Sequence, residues 1–311
     1  MPIEITKTNG ERFQRIDQIK SSHSHVCVLE NGSVWCWGYN GYGQLGNGST
    51  TNSVTAVQVY KTTGQTLTDV VTIDTGMSHT CAATTDTVWC WGDNQYGQLG
   101  DGTTTQRTRA VQATKYQGGA LNGVTMLGLG ETHSCALQQG SVWCWGYNGY
   151  GQIGDGTTTT RIAAVMVQGI SNANAIDAGG RLSCALAQGI PYCWGEYAAG
   201  IVNYNWANAT VATRQIRNDD APLYRFRTMS VGGSTWCGVR VMTNREVWCR
   251  GQYNYDGQLG DGTTTQRTGA VKVAFNVPAA GINATITPPA TNTATASNTP
   301  TVTMTPTDTR T

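Results

Sequence analysis

The chain has 311 residues, enough for one large core or two smaller ones, with 39 glycines and only 13% charged residues. That balance suits an all-β protein with many tight turns and argues against a helical one. A net charge of +1 leaves no electrostatic footprint for nucleic acid or an anionic membrane surface, and no run is apolar enough to span a bilayer.

Taken in order, the first run with strand character is Pro2–Thr6, within an N-terminal segment that lacks the apolar core of a secretory leader. The stretch Val34–Gly48, VWCWGYNGYGQLGNG, then sets the pattern for the rest. It returns as Val88–Gly102 and Val142–Gly156, in worn form as Pro191–Gly200, and with one added residue as Val247–Gly262. Cys36, Cys90 and Cys144 are 54 residues apart, and the next two steps, to Cys193 and Cys249, are 49 and 56. Such a period means one supersecondary unit stacked on copies of itself. In the second copy Ala56–Tyr60, Val70–Asp74, Thr80–Thr84 and Val88–Trp91 read as four short strands, which is the unit of a β-propeller blade.

The expected fold is therefore an all-β propeller of about five four-stranded blades over residues 1–276, with hairpins near 26–37, 80–91, 134–145, 183–194 and 236–249. Edge-type runs at Pro2–Thr6, Ala56–Tyr60, Ala110–Thr114, Ala163–Gln168, Thr210–Gln215 and Ala270–Phe275 outnumber the five hairpins by one. That surplus points to an open or truncated ring taken from a longer array. The irregular stretch Ile201–Tyr224 is the one candidate insertion. Residues 277–311 are almost all Thr, Pro, Ala and Asn and read as a disordered linker or stalk of a composition that accepts O-glycosylation.

Ten cysteines fall two to a repeat. Placing a two-residue turn at Asn31-Gly32, where both residues need φ > 0, pairs Glu30 with Ser33, Leu29 with Val34, Val28 with Trp35 and Cys27 with Cys36. The cysteines then occupy a non-hydrogen-bonded pair, whose Cα atoms lie about 4.5 Å apart, within reach of a disulfide. The same count applies at Gln139-Gly140 and Gln188-Gly189. Thr85-Asp86 has the length without the glycine, and the fifth repeat needs a three- or five-residue loop around Thr243. The expected bonds are Cys27–Cys36, Cys81–Cys90, Cys135–Cys144, Cys184–Cys193 and Cys237–Cys249, each stabilising by roughly 2–3 kcal/mol on the chain-entropy model. Paired cysteines at this density imply an oxidising, extracellular or cell-surface location, with the natural start of the chain missing. Strand alternation puts Trp35 with Trp37, Trp89 with Trp91 and Trp143 with Trp145 on the face opposite the cysteines, for core or blade-to-blade packing.

The succession G-x-x-H-[ST]-C-A, then V-W-C-W-G-x-N-x-x-G-Q-L-G-D-G-T-T-T, resembles the regulator-of-chromosome-condensation repeat in the cysteine-bearing form seen in exported bacterial proteins, over roughly residues 13–275. The resemblance implies a β-propeller, usually of seven blades. It also implies two kinds of activity. One is guanine-nucleotide exchange on a small GTPase, which in the family needs a protruding hairpin and acidic surface residues. The other is protein capture by the loop-bearing face, as in a secreted β-lactamase inhibitor.

Among individual residues, Gly43, Gly46 and Gly48 have no Walker-type lysine nearby and serve a tight reversal, with Leu45, Leu99, Ile153 and Leu259 as its core plugs. His25, His79 and His133 precede the first cysteine by two and are expected as hydrogen-bonded turn residues, since the later copies carry Leu182 and Thr235. Asp101, Asp155 and Asp261 are expected to meet Arg107, Arg161 and Arg267. No catalytic residue, cofactor or metal is expected, because nucleophile elbows, zinc motifs and unpaired cysteines are lacking. The candidate binding residues are Tyr39, Tyr42, Tyr96, Tyr147, Tyr150, Tyr253 and Tyr255, whose repetition sets them around one face. The expected function is a non-catalytic interaction scaffold for a protein, or for carbohydrate. A polysaccharide-degrading module and a nucleotide exchange factor are the alternatives.

Overall fold

The computed structural model describes residues 4–202, 205–242 and 244–274; the Thr/Pro-rich tail and Thr243 lie outside the described residues. Within them the chain is all strand and turn, arranged as five four-stranded antiparallel sheets, each a meander in sequence order. Blade 1 is built from Gln18–Ser21, His25–Glu30, Ser33–Gly38 and Ser53–Gln58. Blades 2 and 3 repeat it from Val70 to Gln112 and from Val124 to Met166. Blade 4 runs from Ala173 to Arg214 and blade 5 from Phe226 to Lys272.

The hairpin register is the one the turn dictates: Glu30 faces Ser33, Leu29 faces Val34, Val28 faces Trp35 and Cys27 faces Cys36. Asn31 and Gly32 take φ of 48° and 76°, and Gln139-Gly140 and Gln188-Gly189 do likewise. Thr85-Asp86 turns without positive φ; there the Thr84 hydroxyl accepts from the Thr87 amide at 3.2 Å. In blade 5, Val241 faces Arg245, which selects the three-residue loop. All five cysteine pairs are joined, with Cα atoms 4.0–4.1 Å apart.

Alternation along the strands gives each blade two unlike faces. The cysteine face of blade 1, with Cys27, Leu29, Val34 and Cys36, packs onto Ile73, Ala82 and Trp91 of blade 2 in one apolar cluster. Blades 2 and 3 meet in the same way, and blades 3 to 5 share a third cluster. The outer tryptophans lie under the linkers that enter each blade. Lys7 stands 5.0 Å from the Trp35 ring, Lys61 5.1 Å from Trp89 and Lys115 4.3 Å from Trp143, cation–π contacts of about 0.5–1 kcal/mol each. Lys7, whose linker precedes blade 1, bridges Ala56 on that blade's outer strand, as Lys61 bridges Ala110. Thr6 thus lies at a linker and not in a four-stranded sheet, and Ala270 bridges Arg217 just before the last outer strand, Val271–Lys272.

Each histidine reaches the next blade through Nε2, and His25 also has Nδ1 3.4 Å from the Ser22 hydroxyl across its own turn. The Thr80 hydroxyl donates to the Gln44 carbonyl of blade 1 at 3.0 Å and accepts from His25 Nε2 at 2.8 Å. His79 with Ser134 and His133 with Ser183 repeat this at 2.9 and 2.7 Å. With Nε2 holding the proton, Nδ1 of His79 and of His133 is buried without a partner among the described residues. Burial lowers His25 from 6.5 to about 4, and His79 and His133 to about 3.

Above pH 6.5 these rings are neutral whether the chain is folded or not. Between 6.5 and about 3–4 only the unfolded chain takes up protons, so stability falls as pH drops through that window. Asp74, raised to about 6 by burial against the pull of Lys20, works in the opposite sense between 3.8 and 6. Replacing His79 with Gln, which keeps a donor for Ser134, should flatten the acid limb by up to about 1.4 kcal/mol per pH unit. Urea unfolding of both proteins between pH 7 and 5 measures this, and unchanged slopes would refute the neutral, buried assignment.

Candidate functional site

In a sequential meander the first-to-second and third-to-fourth connections share one end of each blade, while the tight turns and linkers share the other. The tyrosine loops therefore lie on the same face as Ser22, Gly76, Gly130, Gly180 and Gly233, one from each blade, which rim an open central depression of about 280 Å³.

Each regular loop is tied around a buried asparagine. Asn40 Nδ2 donates to the Ser49 and Thr51 carbonyls at 3.0 and 2.9 Å, and its Oδ1 accepts from Leu45 N at 3.0 Å. Asn94, Asn148 and Asn254 do the same, and all four are fully buried. Gln44, Gln98 and Gln152 accept from the amides of Tyr42, Tyr96 and Tyr150 and so fix where those side chains start. These asparagines and glutamines are site-building residues that the tyrosine argument passed over. Their signal was present in the fixed positions of Asn and Gln in every regular G-x-N-x-x-G-Q copy. The core plugs Leu45, Leu99, Ile153 and Leu259 are fully buried.

Arg107 places two guanidinium nitrogens on one oxygen of Asp101, at 2.9 and 2.8 Å, and Arg161 and Arg267 do so with Asp155 and Asp261. Burial pushes the Asp101 carboxyl up, but its bonds to Thr103 and Arg107 outweigh that and hold it below the usual range. These pairs close the loop ends.

The seven tyrosines divide into two kinds. Tyr96 of blade 2 lies 4.9 Å from Tyr147 of blade 3, and Tyr147 lies 6.2 Å from Tyr150. Arg181 of blade 4 then sits 4.6 Å over the Tyr150 ring and donates to its hydroxyl at 2.9 Å. This half-buried stack crosses three blades. Tyr39 and Tyr42 form an exposed pair at 6.3 Å on blade 1, and Tyr253 and Tyr255 another at 5.9 Å on blade 5, where Tyr255 is 65% exposed.

Blade 4 departs from the pattern. Cys36, Cys90 and Cys144 face Val57, Val111 and Val165, each 21 residues on, whereas Cys193 faces Thr213, 20 residues on. Ile201–Tyr224 is thus no insertion. The glycine loop is replaced by an extension of the hairpin Ile190–Val202 with Asn205–Arg214, standing on the tyrosine face. Blade 5 compensates. Arg250 occupies the position of Trp91 and Trp145 and donates to the Ala198 carbonyl at 3.0 Å and to Gln215 Oε1. Its burial lowers the guanidinium to about 10.

In the centre, Asp74 binds Lys20 at 3.0 Å and accepts from Leu129 N at 2.8 Å, while Asp177 accepts from Val231 N at 2.8 Å. Both carboxyls are raised chiefly by burial, and both are engaged by the scaffold.

Radial blades that turn one loop-bearing face outward define a repeat β-propeller protein. The family model described as the regulator of chromosome condensation (RCC1) repeat matches residues 31–83, 85–137 and 139–186, and a second model of that description matches 16–44 and 70–98. The chain belongs to the RCC1 repeat family. Among curated relatives, human E3 ubiquitin-protein ligase HERC2 is 30% identical over 159 residues, covering 50% of this chain and 3% of HERC2. The ultraviolet-B receptor UVR8 of Arabidopsis thaliana is 30% identical over 175 residues, covering 55% of this chain and 38% of UVR8. The chain thus spans far less than two thirds of either relative. Human WBSCR16 superposes with a TM-score of 0.69 at 20% identity over 84% of this chain and 68% of its own. Prp20p of Saccharomyces cerevisiae gives 0.62 at 17% over 84% and 65%. These two likenesses establish the fold.

Asn148→Ala should cost about 3 kcal/mol, since it strands two carbonyls and one amide in a buried loop. Arg250→Ala should cost about 2–4 kcal/mol by leaving its acceptors buried and bare. Both are read by urea denaturation under oxidising conditions, and losses below about 1 kcal/mol would show that the loops close without these side chains.

Proposed function

We propose that the protein is a non-catalytic, exported interaction scaffold. It binds a macromolecular partner, protein first, through the face carrying Tyr39, Tyr42, Tyr96, Tyr147, Tyr150, Tyr253 and Tyr255, with residues 277–311 as its stalk. The observation that carries the reading is the loop design. Four fully buried asparagines hold loops whose outward residues are tyrosines, and the exposed pairs flank a pre-ordered stack. Rigid amphipathic rings on a fixed frame lose little entropy on binding. The blade 4 hairpin adds a backbone element to that face. Five disulfides fit export to an oxidising compartment.

Relatives of this fold support protein as the ligand class. Yeast RCC1 (Prp20) has been solved bound to Kap60, and Prp20p was studied for its binding to Gsp1p and histones. Carbohydrate is the second reading, favoured by the paired exposed rings Tyr39/Tyr42 and Tyr253/Tyr255, which suit stacking on sugars. The engagement of Asp74 and Asp177 by Lys20 and backbone amides speaks against a polysaccharide-cleaving pair.

The test is affinity capture from culture medium and cell envelope with the native protein and with a variant carrying Tyr39, Tyr42, Tyr253 and Tyr255 all changed to Ser. The variant should keep its melting temperature and lose about tenfold or more of the captured partner. Equal recovery by the two proteins would sink the tyrosine face.

A further inference from the structure

Four of the five blades hold a linker cation against the ring of their outer tryptophan, and two of them also bring a carboxylate to it. In blade 1, Glu30 binds Lys7 at 2.6 Å. In blade 5, Glu246 forms a bridge. One of its oxygens takes the Lys272 ammonium at 2.9 Å and the other accepts from the Trp248 indole at 3.0 Å, with Arg217 5.1 Å from that ring.

Blade 3 has the donors without the acid. Lys115 stands 4.3 Å from the Trp143 ring and makes no ion pair among the described residues. Of the four outer tryptophans, Trp143 is the one whose indole N–H is buried with no hydrogen-bond partner there. Gln138 stands in the place of Glu30 and spends its amide on Asn122, and Ser141 stands in the place of Glu246. The same blade carries apolar surface that blade 2 lacks. Tyr116 replaces Thr62 and Met166 replaces Gln112, and they are 65% and 54% exposed. With Lys115, Trp143, Ala164 and Val165 they line a groove of about 310 Å³. A concave, largely apolar site of this size with a few polar groups suits a small molecule.

We propose that this groove on the outer side of blade 3 binds a small carboxylic acid with an aromatic or aliphatic body. The carboxylate takes the Lys115 ammonium and the Trp143 indole N–H, as Glu246 takes Lys272 and Trp248 in blade 5. The body lies on Tyr116 and Met166. The acid supplies the acceptor that the indole lacks, and its bond to an ammonium is stronger than a neutral group would make. The indole N–H is closed to solvent, so the acid enters as a flexible neighbour, Lys115 or Met166, moves aside. The linkers share the end of the blades opposite the tyrosine loops, so this site is independent of the partner held by the tyrosine face.

The probe is 3-phenylpropionate, with 3-phenylpropionamide as its uncharged counterpart, titrated into the full chain. Calorimetry reads the affinity, and the indole N–H resonances read the place, with Trp143→Phe identifying the Trp143 signal by its loss. The acid should bind about tenfold or more tighter than the amide and shift the Trp143 signal. Lys115→Met should bring the acid down to the amide's affinity, and Trp143→Phe, which keeps the ring and loses the N–H, should weaken the acid about tenfold. Lys61→Met removes the matching ammonium of blade 2 and should change nothing. Melting temperatures check that the variants fold, and because each removes a different donor, either one alone decides if the other does not. Equal affinities for acid and amide, acid binding that Lys115→Met or Trp143→Phe retains in full, an equal loss in Lys61→Met, or no binding at about 10 mM acid each overturn the proposal.

Discussion

One carbonyl organises each regular junction. The Gln44 C=O, at the base of the glycine loop of blade 1, accepts from the Trp91 indole at 2.8 Å and from the Thr80 hydroxyl at 3.0 Å, both on blade 2. Gln98 repeats it with Trp145 and Ser134. The oxygen is buried, so both lone pairs must be satisfied, and two donors at fixed heights allow one orientation of the next blade. Gly46 makes that approach possible. A Cβ on it would stand 2.8 Å from the indole nitrogen, and its φ of 71° is unfavourable for other residues. Apolar burial supplies most of the cohesion, and this polar clamp supplies the angle between blades.

The irregular copies show the same constraint from the other side, because losses occur in matched sets. Blade 4 has Tyr192 and Gly169 where blades 1 to 3 pair an outer Trp with a linker Lys and blade 5 pairs Trp248 with Arg217. Blade 1 has Asn47 and Ser53 where others pair Asp with Arg. Leu182 replaces a histidine, and Trp236 replaces the hydroxyl that would have met it. Where blade 4 lacks the glycine loop, Arg250 takes the place of the tryptophan and binds the carbonyl left in its stead. Removing one partner strands a buried polar group, and removing both costs little.

The same economy shapes the loop face. The asparagines direct their hydrogen bonds inward, and the tyrosines at the two ends of the array stay exposed, their rings meeting each other and, at Tyr255, the Gln266 amide at 2.9 Å. In the middle, Tyr96, Tyr147 and Tyr150 are drawn into contact by the pitch of the blades, and Arg181 caps them. Exposed and packed tyrosines are therefore one residue type on one loop, separated by which neighbour each blade has.

The strands, the hairpin register, the five cysteine pairs and the sharing of one face by the tyrosine loops were legible in the chain, because each follows from contacts within one repeat. A turn at Asn31-Gly32 settles Cys27 against Cys36 without reference to anything distant. The partner of His25, the two donors on the Gln44 carbonyl and the docking of Trp91 on Gly46 were not legible, because each depends on a residue 36 to 55 positions away in sequence and a few ångströms away in space. The loop ties of Asn40 are local and recur in every regular copy, but strand periodicity does not report them. Local pattern determined what a blade is; only the tertiary structure decided what each blade touches, because the angle between blades is set by buried polar groups that find their partners in the neighbouring copy.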